Sequence, residues 1–151
     1  MFEPAARRRL FLRPGREKSL RNRHPWVVDG AIAREEGPRD AALADAFDAG
    51  GARIASGFYS AHSQIRLRAV AFGGEELTPE LLRARVRAAV ARRASILDAG
   101  TTACRLVHSE GDDLSGLIAD RYGDALVVEI TSAGLERLAD LVLDELRAAT
   151  G

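Results

Sequence analysis

Short apolar runs separated by turn residues fill the first half of the chain, a pattern typical of β-strands. The runs span residues 10–12, 26–28, 54–59 and 64–72. Along the last run, apolar residues alternate with Arg66 and Arg68, which predicts one face in a core and both arginines on the other face. Residues 16–23 predict one or two helical turns that stop before Pro25. Short strands at this spacing predict a small β-barrel.

The pattern changes after Gly73 and Gly74, the best candidate for a domain boundary. Thr78 followed by Pro79 predicts a helix N-cap with proline at the first helical position. Apolar residues then recur at helical spacing, and this long helix is predicted to end at residues 99–100.

Three further strands are predicted at residues 105–108, 116–119 and 125–131, followed by an amphipathic helix over residues 135–149. The loop between the last two strands contains Gly123, which is predicted to adopt a positive φ. The fold class is therefore α+β: a small β-barrel, then a linking helix and a small α/β domain.

Composition fits a soluble globular protein, with 46% hydrophobic and 29% charged residues among 151. This length allows one ordinary domain or two small ones. Cys104 is the only cysteine, so no intrachain disulfide can form. Since no apolar run approaches the roughly 20 residues that span a bilayer, we expect a cytoplasmic protein without membrane association.

The net charge is zero, but the two halves differ in sign. Through Gly74 there are 13 Lys and Arg against 8 Asp and Glu, a net +5, and the remainder has 9 against 14, a net −5. Residues 1–24 contain eight basic residues and only two acidic ones. This asymmetry predicts an anion-binding front half. The preference for Arg over Lys fits phosphate binding and equally fits the codon bias of a GC-rich genome.

The strongest candidate surface lies between Gly15 and Pro25. Two interpretations remain open: a phosphate-contacting surface and an ordinary solvated helix start. The spacing of a phosphate-binding loop is absent. The candidate RNA-binding residues, including the two arginines of the last strand, are Arg16, Lys18, Arg21, Arg23, His24, Arg66 and Arg68.

Other chemistry-bearing residues favour structural roles. Trp26 is expected in the core, with base stacking as the alternative. The acidic segment 110–116 lacks the calcium-loop pattern and predicts a tight turn. Cys104 is expected to pack in the core, and no zinc site is predicted around the isolated histidines. Neither a glycine-rich cofactor motif nor a nucleophile constellation is present, so we expect no catalytic site and no bound cofactor or metal.

An ordered series of motifs resembles the N-terminal PUA domain and the second domain of the RlmI-type ribosomal RNA methyltransferases. The resemblance runs from about Leu10 to near the end of the chain. The motifs are Gly15-Arg16-Glu17-Lys18-Ser19, His24-Pro25-Trp26-Val27, Gly57-Phe58-Tyr59-Ser60, Ser63-Gln64-Ile65-Arg66, the segment from Arg105 to Asp112, Asp120-Arg121-Tyr122-Gly123-Asp124 and Ser132-Ala133-Gly134.

The resemblance implies a PUA-like RNA-binding domain over residues 1–73 and a small α/β middle domain of the strand–helix–strand type over residues 74–151. Full-length members of that family use S-adenosylmethionine to methylate cytosine C5 in large-subunit rRNA, with a third, catalytic domain that holds the cofactor and the nucleophilic cysteine. Ser115 stands where the family usually has proline, which is expected to loosen that turn. Cys104 stands where an aromatic is common and does not inherit the catalytic role.

We therefore expect the RNA-recognition part of such a methyltransferase, with ribosomal RNA as partner and S-adenosylmethionine bound in a domain this chain lacks. On this view the chain alone is inactive. The alternative is a stand-alone RNA-binding module without enzyme activity. A third hypothesis is that the acidic second half, with an exposed turn expected at Asp112-Asp113, docks the catalytic domain or a second copy of the chain, which leaves a homodimer open.

Overall fold

The computed structural model describes residues 7–96 and 100–151. The strands are β1 (Arg8–Leu12), β2 (Trp26–Val28), β3 (Ile32–Glu36), β4 (Leu43–Phe47), β5 (Arg53–Tyr59), β6 (Ile65–Phe72), β7 (Ala103–His108), β8 (Leu117–Tyr122) and β9 (Ala125–Ile130). The helices are α1 (Glu17–Arg21), α2 (Pro79–Arg92), α3 (Ala133–Glu136) and α4 (Ala139–Thr150). None of the helices in this described part is long and apolar enough to cross a membrane.

Six strands form one curled sheet in the order β2-β6-β5-β4-β1-β3. Neighbouring strands are antiparallel except β1 and β4, which are parallel. The curl brings Arg66 of β6 within 3.9 Å of Glu35 on the edge strand β3, and Glu35 also accepts a 2.9 Å hydrogen bond from the Tyr59 hydroxyl. One apolar cluster that includes Leu10, Leu20 and Leu67 forms the core of this part of the chain. This is the small barrel expected from the sequence, as an open half-barrel.

Two strands, β3 and β4, were not predicted. Their sequences, Ile-Ala-Arg-Glu-Glu and Leu-Ala-Asp-Ala-Phe, are rich in residues with low β propensity. Both pair with β1, which supplies their hydrogen-bonding partners. Arg8 of β1 also forms a 3.0 Å ion pair with Glu35 of β3. Pairing across the sheet therefore overrides the weak local preference.

The second sheet has the order β7-β8-β9 and is entirely antiparallel. Helices α2 and α4 pack against each other in the same unit. Thr78 is the expected N-cap of α2, since its hydroxyl accepts a 3.1 Å hydrogen bond from the Leu81 amide. Gly123 in the β8–β9 hairpin has the expected positive φ, +57°. The unit therefore consists of a three-stranded sheet with helices before and after it.

Helix α2 is shorter than expected. It ends at Arg92, and residues 93–96 form turns in which the Ile96 amide donates to the Arg93 carbonyl. The predicted helix end at residues 99–100 falls partly on residues 97–99, which lie outside the described residues. The linking helix therefore has 14 residues.

The chain divides into two compact units that are discontinuous in sequence. One runs to Leu77 and includes Ser132–Leu138, and the other comprises Thr78–Thr131 and Ala139–Gly151. The expected boundary after residue 73 lies four residues earlier than this division. The Leu77 side chain is fully buried, and its carbonyl accepts a 2.6 Å hydrogen bond from Arg7, so residues 74–77 belong with the first unit.

The return of Ser132–Leu138 to the first unit splits the single C-terminal helix that was predicted over residues 135–149. Gly134 lies so close to β5 that an added Cβ would be 2.7 Å from the backbone nitrogen of Tyr59 and nearer still to the Ala42 carbonyl oxygen. Leu135 is buried, and the Arg137 side chain donates to the Asp40 carbonyl. These contacts hold α3 in the first unit and separate it from α4.

Candidate nucleic-acid interface

Helix α1 and its N-cap residue Arg16 present three of the predicted basic residues to solvent. A five-residue helix is too short to be stable alone. It is held by Leu20, whose side chain is buried in the core of the half-barrel; burial of a leucine contributes about 1.5–3 kcal/mol. With Leu20 facing inward, Arg16, Lys18 and Arg21 are exposed. Among the described residues, no ion pair involves Arg16 or Lys18.

Arg21 already has a carboxylate partner. Its guanidinium lies 2.6 Å from Asp48. The Ala52 amide, with help from the Gly50 amide and Arg21, holds the pKa of Asp48 below its usual value although burial opposes this. Because this carboxylate stays ionised, it neutralises part of the charge that Arg21 contributes to the surface.

The chain leaves α1 through a left-handed residue, Arg23, with φ of +61°. Such a conformation is uncommon for a residue other than glycine. It is stabilised by the Arg23 amide, which donates to the Leu20 carbonyl, and by the His24 amide, which donates to the Ser19 carbonyl, each at 2.9 Å. The Arg23 guanidinium carbon lies 4.7 Å from the ring centre of Phe72. This turn sets the direction in which the next residues enter β2.

His24, Trp26 and Arg68 form one cluster, in which His24 and Trp26 are exposed and Arg68 is half-buried, and which we call the Trp26 platform. Trp26 stands opposite Arg68 in the β2–β6 pair. The Arg68 guanidinium carbon lies 5.5 Å from the indole centre, and the His24 ring meets the indole edge-on, with centroids 5.8 Å apart at 89°. The Trp26 amide donates to Nδ1 of His24 at 3.3 Å.

The expectation that Trp26 belongs to the core is wrong, since the residue is 39% exposed while Val27 beside it is buried. Sequence reasoning therefore left the aromatic centre of this surface out of the candidate set. Alternation within a three-residue strand allows either face to be the inner one. The deciding signal is the register with β6, where Val27 pairs with the buried Leu67 and Trp26 with Arg68.

Arg66 lies between two carboxylates, Asp29 and Glu35. Its side chain donates to Asp29 at 2.9 Å and lies 3.9 Å from Glu35. The hydrogen bond to Asp29, followed by the charges of Asp29 and Glu35, raises the pKa of Arg66 against the effect of desolvation. The side chain is only 21% exposed. Arg66 thus links strands of the half-barrel and has little charge left for an external phosphate.

The acidic segment of the second unit is a structural turn, as expected. Asp112 is buried, and its desolvation acts to raise its pKa. The hydrogen bonds that it accepts from Arg93, the His108 amide and Arg92 outweigh this effect and hold the pKa below the usual 3.8. Its burial corrects the idea that Asp112 belongs to an exposed docking turn. The Ser115 hydroxyl donates to Glu110 at 2.8 Å and ties this turn, contrary to the loosening expected there.

Within residues 7–96 and 100–151, no group of three or more His, Cys, Asp or Glu is placed to hold a metal ion. Cys104 lies in β7 opposite Arg121 and is partly exposed, so the expected core position is wrong. Its Sγ lies 3.4 Å from the Arg105 carbonyl oxygen.

Comparisons with known proteins place this geometry in context. Residues 10–72 match the family model of a PUA-like domain. Ribosomal RNA large subunit methyltransferase I of Photobacterium profundum is 40% identical over 142 residues, covering 91% of this chain and 36% of the relative. The protein of the same name from Aeromonas hydrophila is 41% identical with the same coverage. The chain is homologous to the N-terminal region of these methyltransferases. It spans about a third of their length.

Solved structures agree on the fold. A protein assigned as a SAM-dependent methyltransferase from Streptococcus mutans superposes with a TM-score of 0.79 at 15% identity, over 93% of this chain and 37% of that one. A methyltransferase solved in complex with SAH gives 0.80 at the same identity and coverage. The expected PUA-like, mixed α+β fold is confirmed.

Proposed function

We propose that this chain is the RNA-recognition and positioning part of an S-adenosylmethionine-dependent methyltransferase that modifies cytosine C5 in large-subunit ribosomal RNA. The observation that carries the proposal is the exposed basic segment from Arg16 to His24 on a PUA-like domain. The names of the relatives, which are rRNA methyltransferases, supply the substrate class. No specific observation favours a stand-alone RNA-binding module over this assignment.

In this proposal the two parts have different roles. The PUA-like domain expected over residues 1–73 contacts RNA, and the α/β domain expected over residues 74–151 connects it along the sequence to the catalytic part of the enzyme. The cofactor and the nucleophile belong to the portion of the relatives that this chain does not span. We expect the purified chain to transfer no labelled methyl group from S-adenosylmethionine to rRNA, and detection of such transfer would overturn that division of roles.

Phosphate contacts are assigned by exposure and by the ion pairs at each residue. Arg16 and Lys18 are exposed. Arg21 is offset by Asp48, and Arg66 by Asp29. The RNA backbone is therefore expected to be bound mainly by Arg16 and Lys18, with Arg23, His24 and Arg68 at the same surface beside aromatic rings.

The test is binding of a fluorescently labelled rRNA fragment to the 151-residue chain, followed by anisotropy over a range of salt concentrations. The slope of log K against log salt is negative, and each lost phosphate contact decreases its magnitude by about 0.7–0.9. We expect Arg16→Ala and Lys18→Ala each to decrease the magnitude by the amount of about one contact, and the double variant by the amount of about two.

Arg147→Ala is the matched control, because Arg147 is a 69% exposed arginine on α4 of the other unit. It should leave both affinity and slope nearly unchanged. If all three positions behave alike, binding is not localised to the proposed surface. If the native chain binds no more tightly than a neutral protein of similar size, the proposed function is refuted.

A further inference from the structure

We propose that Trp26 stacks on an unpaired RNA base, so that the first unit recognises single-stranded or looped RNA rather than a continuous duplex. This inference rests on the proposed function and sharpens it by naming the structural class of RNA. It starts from an unfavourable feature: the only tryptophan of the chain is 39% exposed on the edge strand β2. A large aromatic group that the core does not use is typical of a binding surface.

The indole is held on regular secondary structure. Backbone hydrogen bonds fix the chain before and after Trp26. The Ala69 amide donates to the Pro25 carbonyl at 2.6 Å, and the Asp29 amide donates to the Gln64 carbonyl at 2.9 Å. The hydrogen bond from the Trp26 amide to His24 adds a third constraint. Because the platform is positioned before binding, little conformational entropy is lost when a ligand stacks on it.

The groups around the indole fit a nucleotide. A base presents a flat π face to the indole, and Arg68 and His24 add planar groups that also stack on bases. Between Arg13 and Val28, five of the side chains are Arg or Lys and only Glu17 is acidic. This charge complements the phosphates on either side of a stacked base. Bases within an A-form duplex are already stacked and are not available to the platform.

An apolar protein partner is the competing occupant, because Val28 on the same strand face is 48% exposed. The basic surroundings favour RNA over such a partner. A second copy of the chain would bring two basic segments together and would be opposed by their like charge.

The single tryptophan makes a direct measurement available. The 151-residue chain is titrated with a mixed-sequence single-stranded RNA and with the same RNA annealed to its complement, while Trp26 emission and the anisotropy of labelled RNA are followed together. We expect the single strand to quench Trp26 in step with binding. The duplex should bind through its phosphates with little quenching.

Variants separate stacking from charge. Trp26→Leu keeps an apolar side chain and removes the aromatic face, and should weaken single-strand binding by roughly 5- to 150-fold with duplex binding unchanged. Trp26→Phe should recover part of the loss. Val28→Ala, on the same exposed face, is the control and should change neither. Circular dichroism checks that each variant is folded.

The outcomes distinguish the two proposals. RNA binding with a normal salt slope, but without quenching and without an effect of Trp26→Leu, overturns stacking and leaves the proposed function standing. Equal losses for single strand and duplex also overturn stacking. Absence of RNA binding by the native chain refutes the proposed function itself. A concentration-dependent shift of Trp26 emission without RNA, matched by dimerisation in sedimentation, would assign the platform to a contact between copies and overturn the inference.

Discussion

Replacing Asp112 with alanine removes a carboxylate of the second unit that accepts three hydrogen bonds. One of its oxygens accepts from Arg92 at 2.6 Å and from Arg93 at 2.7 Å, and the other accepts from the His108 amide at 2.6 Å. The Asp112 side chain is 2% exposed. These bonds join the C-terminal end of α2 to the turn that follows β7, so their loss affects two elements at once.

The magnitude follows from what each partner regains. Arg92 is 53% exposed and recovers water when Asp112 is removed, so its bond contributes little. Arg93 is 17% exposed, and it and the His108 amide lose charge-assisted bonds that contribute about 1.5–3 kcal/mol each. Allowing for partial rehydration, we expect Asp112→Ala to lower the free energy of unfolding by about 2–4 kcal/mol. Asp112→Asn, which retains an acceptor for the amide, should cost less.

Acid provides a second signature. Because the pKa of Asp112 is depressed in the folded state, the unfolded chain binds the proton first as the pH falls. The stabilisation by Asp112 is therefore complete above the unfolded value of 3.8 and is lost as the pH falls through the lower folded value. The difference in stability between the native chain and Asp112→Asn should narrow below about pH 4.

Urea unfolding followed by far-ultraviolet circular dichroism is the appropriate assay, because α2 and α4 lie in the second unit whereas the tryptophan lies in the first. Asp144→Ala is the control: this residue is 75% exposed on α4 and should change stability by less than about 0.5 kcal/mol. If Asp112→Ala is no more destabilising than Asp144→Ala, or if the gap to Asp112→Asn does not narrow in acid, the reasoning fails.

Three further predictions concern stability and are measured by the same unfolding assay. Thr78→Ala removes the N-cap of α2 and should cost about 1 kcal/mol, with Thr78→Ser as the rescue; equal stability of both variants would contradict the capping role. Gly134→Ala places a Cβ against backbone atoms and should destabilise the first unit by about 1–3 kcal/mol or more, whereas Gly74→Ala has open space and should be nearly neutral. Arg105 and Asp120 form an ion pair with two hydrogen bonds, in which the arginine side chain is exposed. A double-mutant cycle should therefore give a coupling free energy below about 1 kcal/mol. A coupling above about 2 kcal/mol would show that exposure does not weaken this ion pair.

Elements with a strong local signal were predicted well from the sequence. Strand β6 shows the expected alternation, with Leu67 buried and the arginines beside it outward. The start of α2 is marked by Thr78 and the β8–β9 turn by Gly123. At these positions the local preference and the fold agree, so a short window of sequence contains the necessary information.

The elements that were predicted wrongly or missed depend on contacts with residues distant in the sequence. Strands β3 and β4 form because β1 pairs with both. The break before α4 follows from Gly134 packing near Tyr59, 75 positions earlier in the chain. For the candidate site, exposure of the Arg16–His24 segment followed from local pattern. The carboxylate partner of Arg66, by contrast, is separated from it by 37 positions and is not visible in any local window.

The discontinuous first unit has a consequence for synthesis of the protein. Its half-barrel strands are complete at Phe72, but Ser132–Leu138, which packs against β5, is made much later. The interval from Leu77 to Leu138 is 61 residues, which takes roughly 3–12 s at ribosomal elongation rates of about 5–20 residues per second. During that time the site for α3 beside β5 is uncovered on the nascent chain. The first unit therefore reaches its final structure only after most of the second unit has been translated.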